Sequence, residues 1–251
     1  LDETLEIIYR DEHLVAINKP SGLLTHRSLI DKTETRFAIQ ILRDQIGAYV
    51  YPLHRLDKPT SGVLLFALSK EVARTMSEQM QAKGFEKEYL AIVRGYTEPS
   101  GEIDYALKEV LDKMTDAKAK EDKAAQSALT FYETISQVEL PFEVGRYPTA
   151  RYSFVRLRPK TGRKHQLRRH MKHLLHPIVG DTNYGRGEHN RFFREQFGIQ
   201  RLLLHAYELK FTHPVSGKAV GLRAKLDLQF LDLIAELGLE NGAQTAHSAV
   251  F

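Results

Sequence analysis

The chain has no cysteine and no tryptophan. Without a thiol there is no disulfide framework, no thiolate nucleophile and no cysteine-ligated zinc, which suits a reducing compartment. Long apolar runs are missing as well. No stretch approaches the roughly 18 apolar residues of a membrane span, and the N-terminal residues lack the basic-then-apolar pattern of a secretion signal. A soluble cytoplasmic protein is the expectation. Neither a GxGxxG loop nor a P-loop is present, so nothing calls for a nucleotide cofactor. Apolar residues make up 42% and charged residues 27% of 251 positions, enough for a substantial core.

One further absence is local. Between Val144 and Gly180 there is no acidic residue, while Arg146, Arg151, Arg156, Arg158, Lys160, Arg163, Lys164, Arg168, Arg169 and Lys172 all fall there. The whole chain carries only +4, so the remainder is net acidic. Such asymmetry points to a polyanionic partner, most directly a nucleic acid, rather than to a basic surface kept for solubility.

Pattern and punctuation predict strands at LEIIY (5–9) and LVAIN (14–18) around a turn at Asp11-Glu12, and a weakly periodic helix over 36–46. GVLLFAL (62–68) is a continuous apolar run of strand length, hence buried on both faces. A helix follows over 70–83, with Val72, Met76 and Met80 four apart. EYLAIVRG (88–95), ALTFYETI (128–135) and RYSFVRLR (151–158) read as strands, and Lys- and Ala-rich 107–126 as an exposed insertion. A helix is predicted over 163–175, with Leu167, Met171, Leu174 and Leu175 on its apolar face. LLLHAYELKF (202–211) and KAVGLRAKL (218–226) form a hairpin about HPVSG, followed by a helix at 227–237 and a loose tail from 238. The predicted class is α+β, a central mostly antiparallel sheet with flanking helices, as one domain over 1–237.

Chemistry concentrates in HRLDKPTSG (54–62). Asp57 lies between Arg55 and Lys58, and these cations favour its ionised form if they fold near it. An ionised carboxylate serves as nucleophile or base. Pro59 pushes Lys58 toward an extended backbone and Gly62 permits a tight turn into the strand. A local turn or a surface ion pair is the plainer alternative. In TGRKHQLRRH (161–170), Arg168 follows the core-facing Leu167, at the border of the buried stripe, and its planar fork suits a carboxylate; the other cations are expected to face outward. His165, His170, His173 and His176 have no carboxylate nearby and are crowded by cations, so helix packing or RNA contact explains them better than a metal. Tyr89, in an otherwise apolar strand, is either a core tyrosine or an active-site phenol.

Taken together, these segments resemble the RluA family of pseudouridine synthases. HRLDKPTSG is similar to the family's catalytic motif, NKPSG (18–22) to its first motif, KEYLAIVRG (87–95) to its tyrosine motif and TGRKHQLR (161–168) to its arginine motif. HPIVGD (176–181) and RLLLHA (201–206) match the segments that follow, all in family order over about residues 5–226. The resemblance implies a pseudouridine synthase fold with a catalytic cleft, acting without metal or cofactor. It implies Asp57 as the essential aspartate, Tyr89 packed on the uracil and Arg168 paired with the carboxylate. It implies Arg55 as the wedge that replaces a flipped uridine and Leu204 in the pocket wall; His54, Thr60, Arg163, Lys164 and Arg169 are further substrate-binding candidates. THRSLIDK (25–32), the charged insertion, GRYPTARY (145–152) and RKHQLRRH (163–170) resemble the members that modify uridine 65 of tRNA, and no added S4-type domain is expected. A tRNA partner and a monomer are expected. Ribosomal RNA as substrate, and an RNA-binding module without catalysis, are the alternatives.

Overall fold

The computed structural model describes residues 4–26, 36–109 and 124–242. In chain order these form β1 (Glu6–Arg10), β2 (Leu14–Lys19), α1 (Ala38–Ile46), β3 (Tyr51–Pro52), β4 (Ser61–Ala67), α2 (Lys70–Gln81), β5 (Glu86–Arg94) and β6 (Ser100–Asp104). They continue with β7 (Leu129–Leu140), β8 (Ala150–Pro159), α3 (Gln166–His173), α4 (Gly187–Phe197), β9 (Leu204–Thr212), β10 (Ala219–Arg223) and α5 (Leu228–Glu236). The fold is α+β, with mostly antiparallel strand pairing as the sequence predicts. Two compact units result. Of the described residues, the first takes those within Leu1–Lys87, Lys108–Ala125 and Ala206–Ala224, and the second those within Glu88–Leu107, Gln126–His205 and Lys225–Phe251.

In the first unit the strands run β1-β2-β4-β9, with β3 on β4 and β10 on β9. The Asp11 carboxylate accepts the His13 and Leu14 N–H groups at 2.7 Å each, which closes the β1–β2 turn. Every residue of β4 is buried, as its unbroken apolar run requires. Its alternate residues Val63, Leu65 and Ala67 meet Leu14 and Ala16 of β2, Val72 and Met76 of α2, and Leu209 and Phe211 of β9. Ser69 begins α2 by accepting the Val72 N–H.

In the second unit the order is β5-β8-β7-β6. Ala91, Val93, Val155 and Leu157 turn one face toward Leu167 and Met171 of α3, joined by Ile178, Leu202 and Leu204. On the face bearing Phe154, Phe230 of α5 meets the sheet, and Asp227 caps that helix through the Phe230 N–H. β6 and α4 are absent from the sequence-based prediction. β6 buries only Ile103 and α4 only His189 and Phe193, so neither leaves a periodic apolar trace.

Helix α3 is shorter than predicted. His165 sits in the left-handed region (φ 55°), so helical geometry starts at Gln166. At the other end Leu175 takes φ 63° and is 76% exposed, so it leaves the apolar face assigned to it from the sequence. The base of the charged insertion is closed by reciprocal backbone hydrogen bonds between Leu107 and Gln126, and residues 110–123 lie outside the described set. Of the tail read from 238 onward, Leu239–Gly242 is a 3₁₀ turn whose Leu239 is buried and accepts the Ser136 hydroxyl; the rest lies outside the described residues. Among the described residues no helix is long and apolar enough to cross a membrane.

Candidate active site

The HRLDKPTSG loop joins β3 to β4 in the first unit, and its backbone is held carbonyl by carbonyl. The Thr25 hydroxyl donates to Leu56 O at 3.3 Å and the Thr60 N–H to Asp57 O at 3.0 Å. Lys58 O accepts the Gly22 N–H at 2.8 Å and the Lys19 ammonium at 3.2 Å, and Pro59 O accepts the Ser21 hydroxyl at 2.8 Å. Four consecutive carbonyls are thus satisfied, three of them from the NKPSGLLT segment. An irregular loop with every acceptor paired has little freedom to move. Asp57 therefore rides on a fixed backbone while keeping partial exposure; Arg55 is exposed and Thr60 buried.

Lys19 is the residue that sequence reading passed over. It is fully buried, and its ammonium also donates to Pro20 O (2.9 Å) and Leu23 O (2.8 Å). A buried ammonium is costly unless dipoles surround it, and carbonyls converging on one nitrogen supply them. The sequence signal was present: a lysine ending an apolar strand directly before proline.

His54 and Gly62 fix the two ends of the loop. The Leu65 N–H donates to His54 Nε2 at 3.2 Å, so that nitrogen is unprotonated. Burial, then the Lys87 charge, push the imidazole down to about 3 against a weaker bond to the Arg55 backbone. His54 is a neutral clasp at pH 7. Gly62 takes φ 112°, and a Cβ there would lie 2.1 Å from Ala206 O.

In the second unit, α3 is pinned from several directions. Buried Gln166 donates to Leu129 O and Thr130 Oγ1 at 3.0 Å each and accepts the Thr161 hydroxyl and the Arg163 N–H. His170 spans Thr130 Oγ1 and Tyr105 O, both at 3.0 Å. Between them Leu167 and Met171 enter the core. This framework places Arg168, which is buried at 4% exposure. Its Nε and Nη2 meet the two Asp181 oxygens at 2.7 and 2.9 Å. Tyr89, opposite Leu157 on β8, is half-buried against the same core, and Leu204 is buried within it. Arg163 and Lys164 are exposed and Arg169 partly so. Asp57 and Arg168 belong to different units, as do Asp57 and Tyr89.

The basic stretch divides once it is folded. Glu88 and Glu133 flank Arg156 and Arg158 across β5, β8 and β7: Arg156 lies 2.8 Å from Glu88 and 3.2 Å from Glu133, and Arg158 lies 2.9 and 3.3 Å from the same two. Arg151 pairs with Glu139. These cations look solvated in sequence because their carboxylates come from other strands. The histidines near α3 also have protein partners: His165 meets Tyr184, His176 meets Arg94 O, and His173 stacks on Tyr105 with ring centroids 3.7 Å apart. Among the described residues no cluster of three or more His, Cys, Asp or Glu side chains could hold a metal ion.

The first unit thus holds a carboxylate on a tied loop, a group able to act as nucleophile or base, and the second holds a buried guanidinium and a half-buried phenol. Residues 13–173 match the RNA pseudouridylate synthase family, and the chain belongs to that family. It is 58% identical over 234 residues to tRNA pseudouridine synthase C of Haemophilus ducreyi, covering 93% of this chain and 96% of the relative. It is also 58% identical over 231 residues to the protein of the same name from Pasteurella multocida, covering 92% and 95%. Among solved structures it is similar to Human RNA Pseudouridylate Synthase Domain Containing 4, with a TM-score of 0.69, 26% identity and 93% of both chains covered.

Proposed function

We propose that the chain isomerises uridine to pseudouridine in tRNA, at uridine 65, as a cytoplasmic monomer. The observation that carries this reading is near-full-length identity, above half, to proteins named tRNA pseudouridine synthase C. The reaction breaks the N1–C1′ bond, rotates the uracil and forms a C5–C1′ bond, so substrate and product are isomers. The proton that leaves C5 is balanced by one gained at N1. No electron or phosphoryl group is exchanged, and the chemistry requires neither a cofactor nor a metal.

Asp57 acts as the carboxylate that engages the ribose or the base. Arg168 pairs with it and orients it, and Tyr89 packs on the uracil and assists proton transfer. Extracting a stacked base costs roughly a few kcal/mol, and phosphate contacts offset that cost. Exposed Arg163 and Lys164, with Arg169, supply such contacts, and exposed Arg55 fills the gap left by the flipped nucleotide. Leu204 lines the pocket wall, while His54 and Thr60 hold the loop that carries Asp57. Support for these roles comes from the fixed carbonyls of residues 56–59 and from the buried setting of Arg168.

The test is to incubate the purified protein separately with a tRNA transcript and with ribosomal RNA, then map pseudouridine at single-nucleotide resolution. Product at uridine 65 of the transcript, lost when that uridine is replaced by cytidine, is the expected result. Modification confined to ribosomal RNA, or binding without product on either, overturns it.

A further inference from the structure

A buried arginine needs its charge balanced and its long side chain fixed, and the segment after α3 does both. Asp181 is 2% exposed and grips the Nε–Nη2 edge of Arg168 with both oxygens. The carboxylate is itself fixed, because its Oδ1 also accepts the Asn183 and Tyr184 N–H groups at 2.9 and 3.0 Å. Burial alone would raise its pKa; the Arg168 hydrogen bonds and charge, then the two N–H groups, outweigh burial and keep it below the usual carboxylate range.

The backbone around it is equally tied. Asp181 O accepts the Gly185 N–H at 3.0 Å and Asn190 Nδ2 at 2.9 Å, and Asn190 Oδ1 accepts the Gly180 N–H at 2.9 Å. A Cβ at Gly180 would lie 1.8 Å from Arg201 O, and one at Gly185 2.2 Å from Asp181 O. The Tyr184 ring sits 5.1 Å from the guanidinium carbon, and its hydroxyl meets His165, which opens α3. Residues 180–185 form a frame around one guanidinium.

We infer that Asp181 is a positioning residue for the reaction, holding Arg168 so that the remaining end of its fork points in one fixed direction. This rests on the pairing of Arg168 with Asp57 proposed above and adds the group that makes Arg168 a rigid partner. A fork gripped along one edge cannot rotate about its long axis, so a carboxylate docking on it is oriented without further loss of freedom. An ion pair serving stability alone would add nothing to the chemical step at saturating substrate.

The experiment measures single-turnover pseudouridine formation on tRNA at saturating protein, tRNA affinity and thermal melting. It compares the unsubstituted chain with Asp181→Asn, Arg168→Gln, the double variant and Asn190→Ala, which loosens the frame without removing a charge. Asp181→Asn and Asn190→Ala are each expected to slow the chemical step by about fivefold or more with affinity within about threefold, and the double variant to be no slower than Arg168→Gln alone. If Asp181→Asn fails to fold, Asn190→Ala decides on the same threshold. A smaller slowing in the deciding variant while Arg168→Gln is inactive, or a double variant slower than Arg168→Gln, overturns the role of Asp181. An Arg168→Gln protein with wild-type turnover overturns the Arg168 assignment itself, and this inference with it.

Discussion

The Lys19 ammonium donates to the Lys58 carbonyl across 3.2 Å, bringing the buried end of β2 onto the residue that follows Asp57. Lys19→Met removes the donor while keeping much of the side-chain volume. The Pro20 and Leu23 carbonyls lose that donor while the Lys58 carbonyl keeps the Gly22 N–H, and each buried unsatisfied acceptor costs about 1–3 kcal/mol. We expect a loss of about 3 kcal/mol, read as a lower denaturant midpoint with an unchanged slope. A midpoint equal to that of wild type would show that the loop does not depend on this lysine.

Gly62 admits no side chain. An added Cβ would lie 2.1 Å from Ala206 O at φ 112°, and the obstacle is backbone rather than a flexible side chain. Gly62→Ala is expected to cost about 3 kcal/mol or more, combining clash with left-handed strain. Soluble yield and melting temperature check this, and a variant that melts with wild type would refute the packing described at the entrance to β4.

Stability should fall as the solution is acidified from pH 7 toward pH 4. Burial, then the Lys87 charge, lowers His54 to about 3; burial, then the Arg94 charge, lowers His189 to about 4. The unfolded chain takes up protons below about pH 6.5 that the folded chain refuses, so the dependence carries one sign through this window. Each histidine contributes at most about 1.4 kcal/mol per pH unit there. Asp11, held near 2 by the Tyr9, His13, Leu14 and His213 bonds against the opposing effect of burial, adds its loss only below its ordinary value near 3.8. Melting curves at pH 7, 6 and 5 test the sign; His189→Gln should flatten them, and a melting temperature that rises on acidification contradicts it.

Position along the basic stretch does not predict which cations meet RNA. Lys164 is exposed at the start of the α3 region, whereas Arg156 is flanked by Glu88 and Glu133. Lys164→Gln is expected to weaken tRNA binding and reduce the log–log salt slope by about one. Arg156→Gln should leave that slope unchanged and cost about 1 kcal/mol of stability. Equal slopes for wild type and Lys164→Gln would remove Lys164 from the interface.

Much of this molecule is legible in one dimension. β4 is visible as an unbroken apolar run, α2 as a four-residue repeat, and Asp57 as a carboxylate between two cations ahead of a turn. What sequence hides is pairing between distant residues. Asp181 gains meaning only when the turn after α3 returns it to Arg168, and Lys19 only when residues 19–25 lie against residues 56–59. The acidic partners of Arg156 and Arg158 lie on other strands, so their ion pairs leave no local pattern. The ends of α3 are not legible in sequence because the left-handed residues at 165 and 175 are neither glycine nor asparagine, and periodicity carries no sign of them.

The claim beneath these arguments is that one carboxylate performs the chemistry while the rest of the protein holds RNA and holds that carboxylate. Pseudouridine formation on tRNA by Asp57→Ala, measured beside tRNA affinity, tests it directly. We predict no detectable product with affinity within about tenfold of wild type, or about 1.4 kcal/mol. Product formed at the wild-type rate would contradict the assignment of Asp57.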